Sequence, residues 1–298
     1  MRNLKYKPIL TAGWSDYELM DSGEKRKLER FGTHILDRFE PDATWAPSLD
    51  TKVWQSADNK YIPDRSQNAG RWQAKVNAQE EWMIDLDDIR IALNLSRSRH
   101  IGIFPEQLEN WRWIHTKIRK FSKPLRILNL FAYTGIASLY CAHAGAEVTH
   151  IDASRSAIEM AKRSQVLSNL GSAPIRWMVD DAIRFTEREI RRGNHYEGLI
   201  LDPPLFGRGP KGEIWKFEDD IKRLMSLLGK LLSDRSKLFL LTAYNVNNGQ
   251  REIAEIAARI LPDEGSVVEY GPLTQIEKSA GRKLEQAFYI RWSSERDL

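Results

Sequence analysis

The sequence predicts an α/β protein, a doubly wound and mostly parallel seven-stranded sheet preceded by a smaller β-rich domain. Three observations carry this reading. From about residue 101 short apolar runs alternate with helical stretches, the grammar of a parallel sheet covered on both faces. The last two runs follow one another with no helix between them, as an antiparallel pair at a sheet edge would. Before residue 100 the runs are short and aromatic, lie between Gly, Pro and Asp clusters, and hold five of the ten tryptophans. The expected division is residues 1–100 and 101–298.

In the first part, strands are expected near 16–19, 32–39, 70–73, 81–85 and 89–95. Trp14, Trp45, Trp54, Trp72 and Trp82 read as the core of a small β domain rather than as a binding face. In the second part, residues 107–121 read as a helix and 125–131 as a strand. A helix over 136–145 and a strand over 147–152 follow. The next helix covers 154–170, with Gly171 at the position after its cap. A strand over 175–179, a helix over 182–192 and a strand over 196–201 come next. Residues 217–232 form a helix, 237–242 a fifth strand and 250–261 a helix. The terminal pair spans 267–270 and 285–292.

Composition bounds the function. The 298 residues are 42% hydrophobic and 29% charged, which suits a protein with a sizeable core and excludes disorder or coiled coil. A net charge of +4 is too small, by itself, to argue for nucleic acid. The single Cys141 excludes an intrachain disulfide and a cysteine-based zinc site. His34, His100, His115, His143, His150 and His195 show no metal-ligand spacing, so no metal is expected. No apolar leader region and no membrane-length apolar run is present, and a soluble cytoplasmic protein is expected.

Ligands of doubly wound sheets lie outside the carboxyl ends of the strands. Those positions read Asn129-Leu-Phe-Ala-Tyr-Thr-Gly135, Asp152-Ala-Ser154, Asp180-Asp-Ala182 and Asp202-Pro-Pro-Leu-Phe206. An acid after the second strand is placed to accept hydrogen bonds from ribose hydroxyls. The three-glycine turn that would hold a pyrophosphate is missing; Gly135 stands alone, crowded by Phe131 and Tyr133. A ligand with ribose and adenine but no pyrophosphate fits, and S-adenosylmethionine is such a ligand. Asp152 would hold its ribose, Asp181 its adenine amino group, and the 131–135 loop its methionine portion. Both acids also precede helices, and each is equally placed as a helix N-cap.

The fourth-strand segment is the sharpest signal. Pro203 and Pro204 remove two backbone donors and fix φ, leaving carbonyls to face a substrate. Asp202 can accept from an amino group while Phe206 stacks on its ring. The competing reading is a Pro-rich turn with a core phenylalanine.

Together these segments resemble class I S-adenosylmethionine-dependent methyltransferases, and more closely the bacterial large-subunit ribosomal RNA base methyltransferase family. Gly102-Ile-Phe-Pro-Glu-Gln107 resembles the segment that packs over the cofactor in that family, with Phe104 and Gln107 as the implied contacts. The resemblance covers roughly residues 100–245 well and the N-terminal region only loosely, and implies a Rossmann-like methyltransferase fold after a small β-rich domain. Cofactor contacts are thus expected at Phe104, Gln107, Asn129, Phe131, Ala132, Tyr133, Thr134, Gly135, Asp152, Ala153, Ser154, Asp181 and Ala182. Catalytic contacts are expected at Asp202, Pro203, Pro204 and Phe206.

Family members that methylate cytosine carbon 5 need a cysteine to add to carbon 6. The places after the fourth and fifth strands read Pro204-Leu-Phe206 and Thr242-Ala-Tyr-Asn245, without sulfur, and Cys141 reads as a small buried hydrophobe. Direct transfer to a base nitrogen of RNA, ribosomal RNA above all, is the expected chemistry. Arg208, Lys211 and Trp215, on a Gly-rich segment expected to be a flexible loop, are expected to touch the substrate. Six basic residues between Arg112 and Arg126 read either as an RNA-facing stripe or as a solvated helix face. The alternatives are a protein or small-molecule amine as acceptor, or a non-catalytic RNA-binding assembly factor.

Overall fold

The computed structural model describes residues 3–64, 69–75, 80–96, 98–233, 235–244, 249–262 and 267–294. Strands β1 (Leu4–Tyr6) and β2 (Ile9–Thr11) open the chain. An antiparallel meander follows: β3 (Tyr17–Gly23), β4 (Arg26–Phe31) and β5 (His34–Phe39). Helix α1 (Thr51–Gln55) leads into β6 (Asn59–Pro63), parallel to β5 and paired with β7 (Gly70–Ala74). A hairpin, β8 (Glu81–Leu86) and β9 (Ile89–Asn94), comes next.

A 3-10 turn (Pro105–Gln107) and helix α2 (Leu108–Ile118) precede the alternating part. This runs β10 (Arg126–Leu130), α3 (Ile136–His143), β11 (Glu147–Asp152), α4 (Arg155–Leu167), β12 (Ile175–Val179), α5 (Ala182–Arg191) and β13 (Gly198–Leu201). Strands β14 (Phe206–Arg208) and β15 (Ile214–Lys216) form a hairpin before α6 (Phe217–Gly229). Then come β16 (Leu238–Tyr244), α7 (Gln250–Ile260), β17 (Val268–Ile276) and β18 (Lys283–Ser293).

The large sheet has nine strands, of which β12-β11-β10-β13-β16-β18-β17, in that order, are the seven expected. The first five are parallel and β18 is antiparallel to both its neighbours. Alternation along the central strands shows why both faces must be covered. Leu199, Leu201, Phe239 and Leu241 pack with Leu224, Met225 and Leu228 of α6 and Ala254 and Ala257 of α7. Ile200, Leu238 and Leu240 pack on the opposite side with Ile114 and Ile118 of α2 and Cys141 of α3.

Several expectations change. The boundary at residue 100 does not follow the sheets, because β1 and β2 pair in parallel with β17 and extend the large sheet. Three-residue strands this short gave no periodicity to read. Helix α4 stops before residue 170: Ser168 is its C-cap and Asn169, at φ +57°, takes the left-handed position expected of Gly171. The segment 206–216 is a hairpin, not a loop.

The N-terminal strands are fastened to the larger part through a shared apolar core, in which Leu19, Phe31 and Ile91 cluster with Leu108, Ile136 and Leu139, and through polar contacts. The backbone N–H groups of Arg90 and Ala92, on the edge of β9, donate to Ser168 Oγ at 3.0 Å and Ser164 Oγ at 3.1 Å in and beside α4. Lys27 donates to Gln286 Oε1 on β18 at 3.0 Å and lies 3.3 Å from Glu40, while Arg38 and Glu29 pair at 2.6 Å. All four of these charged side chains are buried.

Candidate active site

The carboxyl ends of β10, β11, β12 and β13 open on one cavity of about 880 Å³, inside the roughly 300–1,000 Å³ range of small-molecule sites. Its sheet-side wall includes Phe131, Tyr133, Asp152, Asp181 and Asp202, and its opposite wall Lys27, Arg38, Glu40, Arg99 and His100. The site therefore lies where the two parts of the chain meet.

The loop after β10 is held in an uncommon conformation. Phe131 (φ +54°) and Tyr133 (φ +48°) are left-handed without being glycine. Gly135 has φ +77°, and a Cβ there would come within 2.9 Å of Ala161 and 3.2 Å of the Trp177 ring. Asp152 fixes the loop: its Oδ2 accepts from the Tyr133 N–H at 2.7 Å and its Oδ1 from the Ser154 N–H at 2.8 Å. Each oxygen has a further lone pair for a ligand. Burial raises the Asp152 pKa, and those two backbone bonds oppose the rise.

Gly102-Ile-Phe-Pro-Glu-Gln107 lies over this loop. Thr134 Oγ1 donates to the Gly102 carbonyl at 2.6 Å, and the Phe104 ring sits 5.7 Å from Tyr133 and 5.3 Å from Tyr244. Gln107 has its amide engaged by protein: Oε1 accepts from Asn110 and Thr242, and Nε2 donates to the Tyr244 hydroxyl at 3.2 Å. Asn129 likewise donates to Ser138 at 2.9 Å. Gln107, Asn129, Ala132, Thr134 and Gly135 line a small adjoining cavity of about 40 Å³. Ser154 caps α4 through the Ala157 N–H, and Asp181 caps α5 through the Arg184 N–H. Asp181, Ala153 and Ala182 also line the main cavity, whereas Ser154 does not.

After β13, Asp202 is half-buried, but its Oδ1 is shut off from solvent and without a hydrogen-bond partner. Burial, together with the neighbouring Glu106 and Asp152 carboxyls, raises its pKa well above the usual carboxylate range. Pro204 and the exposed Phe206 line the cavity, whereas Pro203 is buried beside it. The expectation that both prolines leave carbonyls for substrate is corrected at Pro204. Its oxygen accepts the Trp215 indole N–H at 2.7 Å. Trp215 is itself buried, with its ring 4.7 Å from Phe131, so it shapes the turn. Arg208 lines the cavity mouth, and Lys211 sits exposed at the hairpin end.

The basic stripe does not face the cavity. Arg126 begins β10, at the opposite edge of the sheet, and Arg112 is paired with Asp87 at 2.8 Å. Cys141 is fully buried in α3, and burial pushes its thiol pKa up. Among the described residues no cluster of His, Cys, Asp and Glu could hold a metal, and no helix is long and apolar enough to cross a membrane. Asn245 lies outside the described residues.

Sequence reasoning missed the wall built by Lys27, Arg38, Glu40 and Gln286, for which no local signal exists. It also missed Tyr244 and Glu106. Tyr244 stands at the carboxyl end of β16, where the rule applied to the other strands would have found it. Glu106 lay inside a segment already singled out.

A sheet of this order, with acids after successive parallel strands and a fixed carboxylate after the second, is the arrangement of a site for a nucleoside-containing cofactor. The family model for S-adenosylmethionine-dependent methyltransferases matches residues 21–267, and the chain belongs to that family. S-adenosylmethionine is accordingly its cofactor, and the fixed Asp152 and the Asp181 carboxyl, both lining one open cavity, fit it. The family match takes in most of the N-terminal region, which the sequence resemblance covered only loosely.

A crystal structure of a SAM-dependent methyltransferase from Agrobacterium tumefaciens is 37% identical, covers 98% of this chain and 96% of its own, and superposes with a TM-score of 0.92. Ribosomal RNA large subunit methyltransferase I of Tolumonas auensis is 28% identical over 47% of this chain and 35% of its own length. Ribosomal RNA large subunit methyltransferase K/L of Shewanella frigidimarina is 30% identical over 59% of this chain and 24% of its own. The chain thus matches about a third or less of the length of these two relatives.

Proposed function

We propose that the protein methylates a base nitrogen of RNA, with large-subunit ribosomal RNA as the substrate, by direct transfer and without a cysteine adduct. The observation that carries this is the Asp202 oxygen, buried, unpartnered and beside the exposed Phe206 at the end of β13. The names of the relatives supply the RNA.

When bound, the cofactor supplies an electrophilic methyl group on a sulfonium. Asp152 binds its ribose hydroxyls, Asp181 its adenine amino group, and the 131–135 loop surrounds its amino-acid end. Phe206 stacks on the acceptor base, a contact worth about 1–3 kcal/mol. Asp202, in its ionised form, accepts a hydrogen bond from the acceptor nitrogen and takes up the proton released there; a raised pKa makes that ionised form the stronger base. Arg208 and Lys211 meet phosphates around the entrance. The absence of a reactive thiol at the cavity supports a direct route, since Cys141 is sealed in the core.

Tritium transfer from methyl-labelled S-adenosylmethionine to deproteinised large-subunit RNA tests the proposal. Label released by ribonuclease is expected. Label found only in protein or small molecules would overturn it.

A further inference from the structure

A second carboxyl, Glu106, faces the same cavity from the 3-10 turn before α2. It is only 2% exposed, yet no ion pair holds it among the described residues. The nearby cations are already committed, Lys27 to Glu40 and Glu29, and Arg38 to Glu29. The Tyr244 hydroxyl, at the carboxyl end of β16, lies beside it, and a hydrogen bond to Glu106 is among the causes that raise the phenol pKa.

The direction of that hydrogen bond is set by Gln107. Asn110 Nδ2 at 3.1 Å and Thr242 Oγ1 at 3.2 Å both donate to Gln107 Oε1, so the Gln107 amide nitrogen must donate onward to the Tyr244 oxygen. A phenol has one proton, and with a lone pair occupied by Gln107 that proton points to Glu106. Phe104 packs on Tyr244 at 5.3 Å and covers the group. Asp202 lines the same cavity, and its buried Oδ1 has no hydrogen-bond partner.

A buried carboxyl without its own cation is costly unless it meets a ligand. We propose that Glu106, aimed by Tyr244, is a specificity-determining residue that works with Asp202: the two carboxyls accept from the N–H edge of a flat heterocyclic acceptor. The inference rests on the RNA-base reading above. Burial raises the Glu106 pKa, the Lys27 charge opposes the rise, and the Glu29 and Arg38 charges act in opposite directions.

Glu106→Gln and Tyr244→Phe are compared with the wild type in tritium transfer to large-subunit RNA, in S-adenosylhomocysteine binding by calorimetry, and in melting temperature. Glu106→Gln is expected to raise the KM for RNA about tenfold or more. Its S-adenosylhomocysteine affinity stays within twofold and its melting temperature does not fall. Tyr244→Phe, which retains the carboxyl but loses its orientation, is expected to raise KM less. An unchanged KM in Glu106→Gln overturns the inference while leaving the RNA reading intact. So does a parallel loss of cofactor affinity and melting temperature in both variants, the signature of a structural role. A wild type that labels no RNA overturns both.

Discussion

The backbone N–H of Tyr133 donates to Asp152 Oδ2 at 2.7 Å, latching the loop after the first parallel strand to the end of the second. Tyr133 is left-handed, and this bond is part of what holds it so. The carboxylate proposed to meet the cofactor ribose is therefore also the one that shapes the cofactor loop. Latching the loop and binding the ligand use different lone pairs, so one side chain can do both.

Asp152→Ala removes both functions. It is expected to weaken S-adenosylmethionine by at least about 1–3 kcal/mol, the cost of leaving buried hydroxyls unpaired. Asp152→Asn, which can still accept one of the two backbone bonds, should lie between. Isothermal titration with the folded variants checks this; an unchanged dissociation constant for Asp152→Ala would reduce Asp152 to a loop latch.

Asp202 makes stability depend on pH in a defined sense. Its folded pKa is raised above the unfolded value of about 3.9, so the folded protein keeps a proton at pH values where the unfolded chain has released it. Its contribution to stability is greatest below the unfolded pKa and is lost as pH climbs toward the folded one. Asp202→Asn does not titrate, so its melting temperature relative to wild type should increase between pH 5 and pH 8. Melting curves that stay parallel across this window would contradict the assignment, as would turnover that survives in the variant.

Trp215 holds the Pro204 carbonyl and packs on Phe131, joining the segments that follow β13 and β10. Trp215→Phe keeps most of the apolar packing but loses the hydrogen bond, at a cost of about 0.5–1.5 kcal/mol. A modest fall in melting temperature with a larger fall in kcat is expected. Full activity would mean that the turn holds its shape without the indole.

Much of the sheet and its rim is legible in the sequence because buried parallel strands are short apolar runs whose ends carry the polar residues. Asn129, Asp152, Asp181 and Asp202 are found at those ends. What could not be read depends on pairs far apart in the chain. Lys27 meets Gln286 across 259 positions, and Gln107 meets Tyr244 across 137. No periodicity announces such pairs. The hairpin of β14 and β15 was hidden for a different reason: its glycines and charges also describe a flexible loop.

Arg208 and Lys211 are exposed on the β14–β15 hairpin, with Arg208 at the cavity mouth. Replacing both with Ala should weaken RNA binding and lower the slope of log K against log salt by about one for each phosphate no longer neutralised. Cofactor affinity should not move. Identical affinity and slope in the double variant would place the RNA elsewhere.

Nucleoside mass spectrometry of large-subunit RNA, from cells with and without the protein, decides whether methyl transfer goes directly to an RNA base nitrogen at Asp202. One nitrogen-methylated nucleoside is expected to disappear without the protein. It should return with the wild type or with Cys141→Ala, but not with Asp202→Asn. An unchanged nucleoside profile would refute direct transfer to this RNA, as would the loss of a carbon-5-methylated cytidine that Cys141→Ala fails to restore.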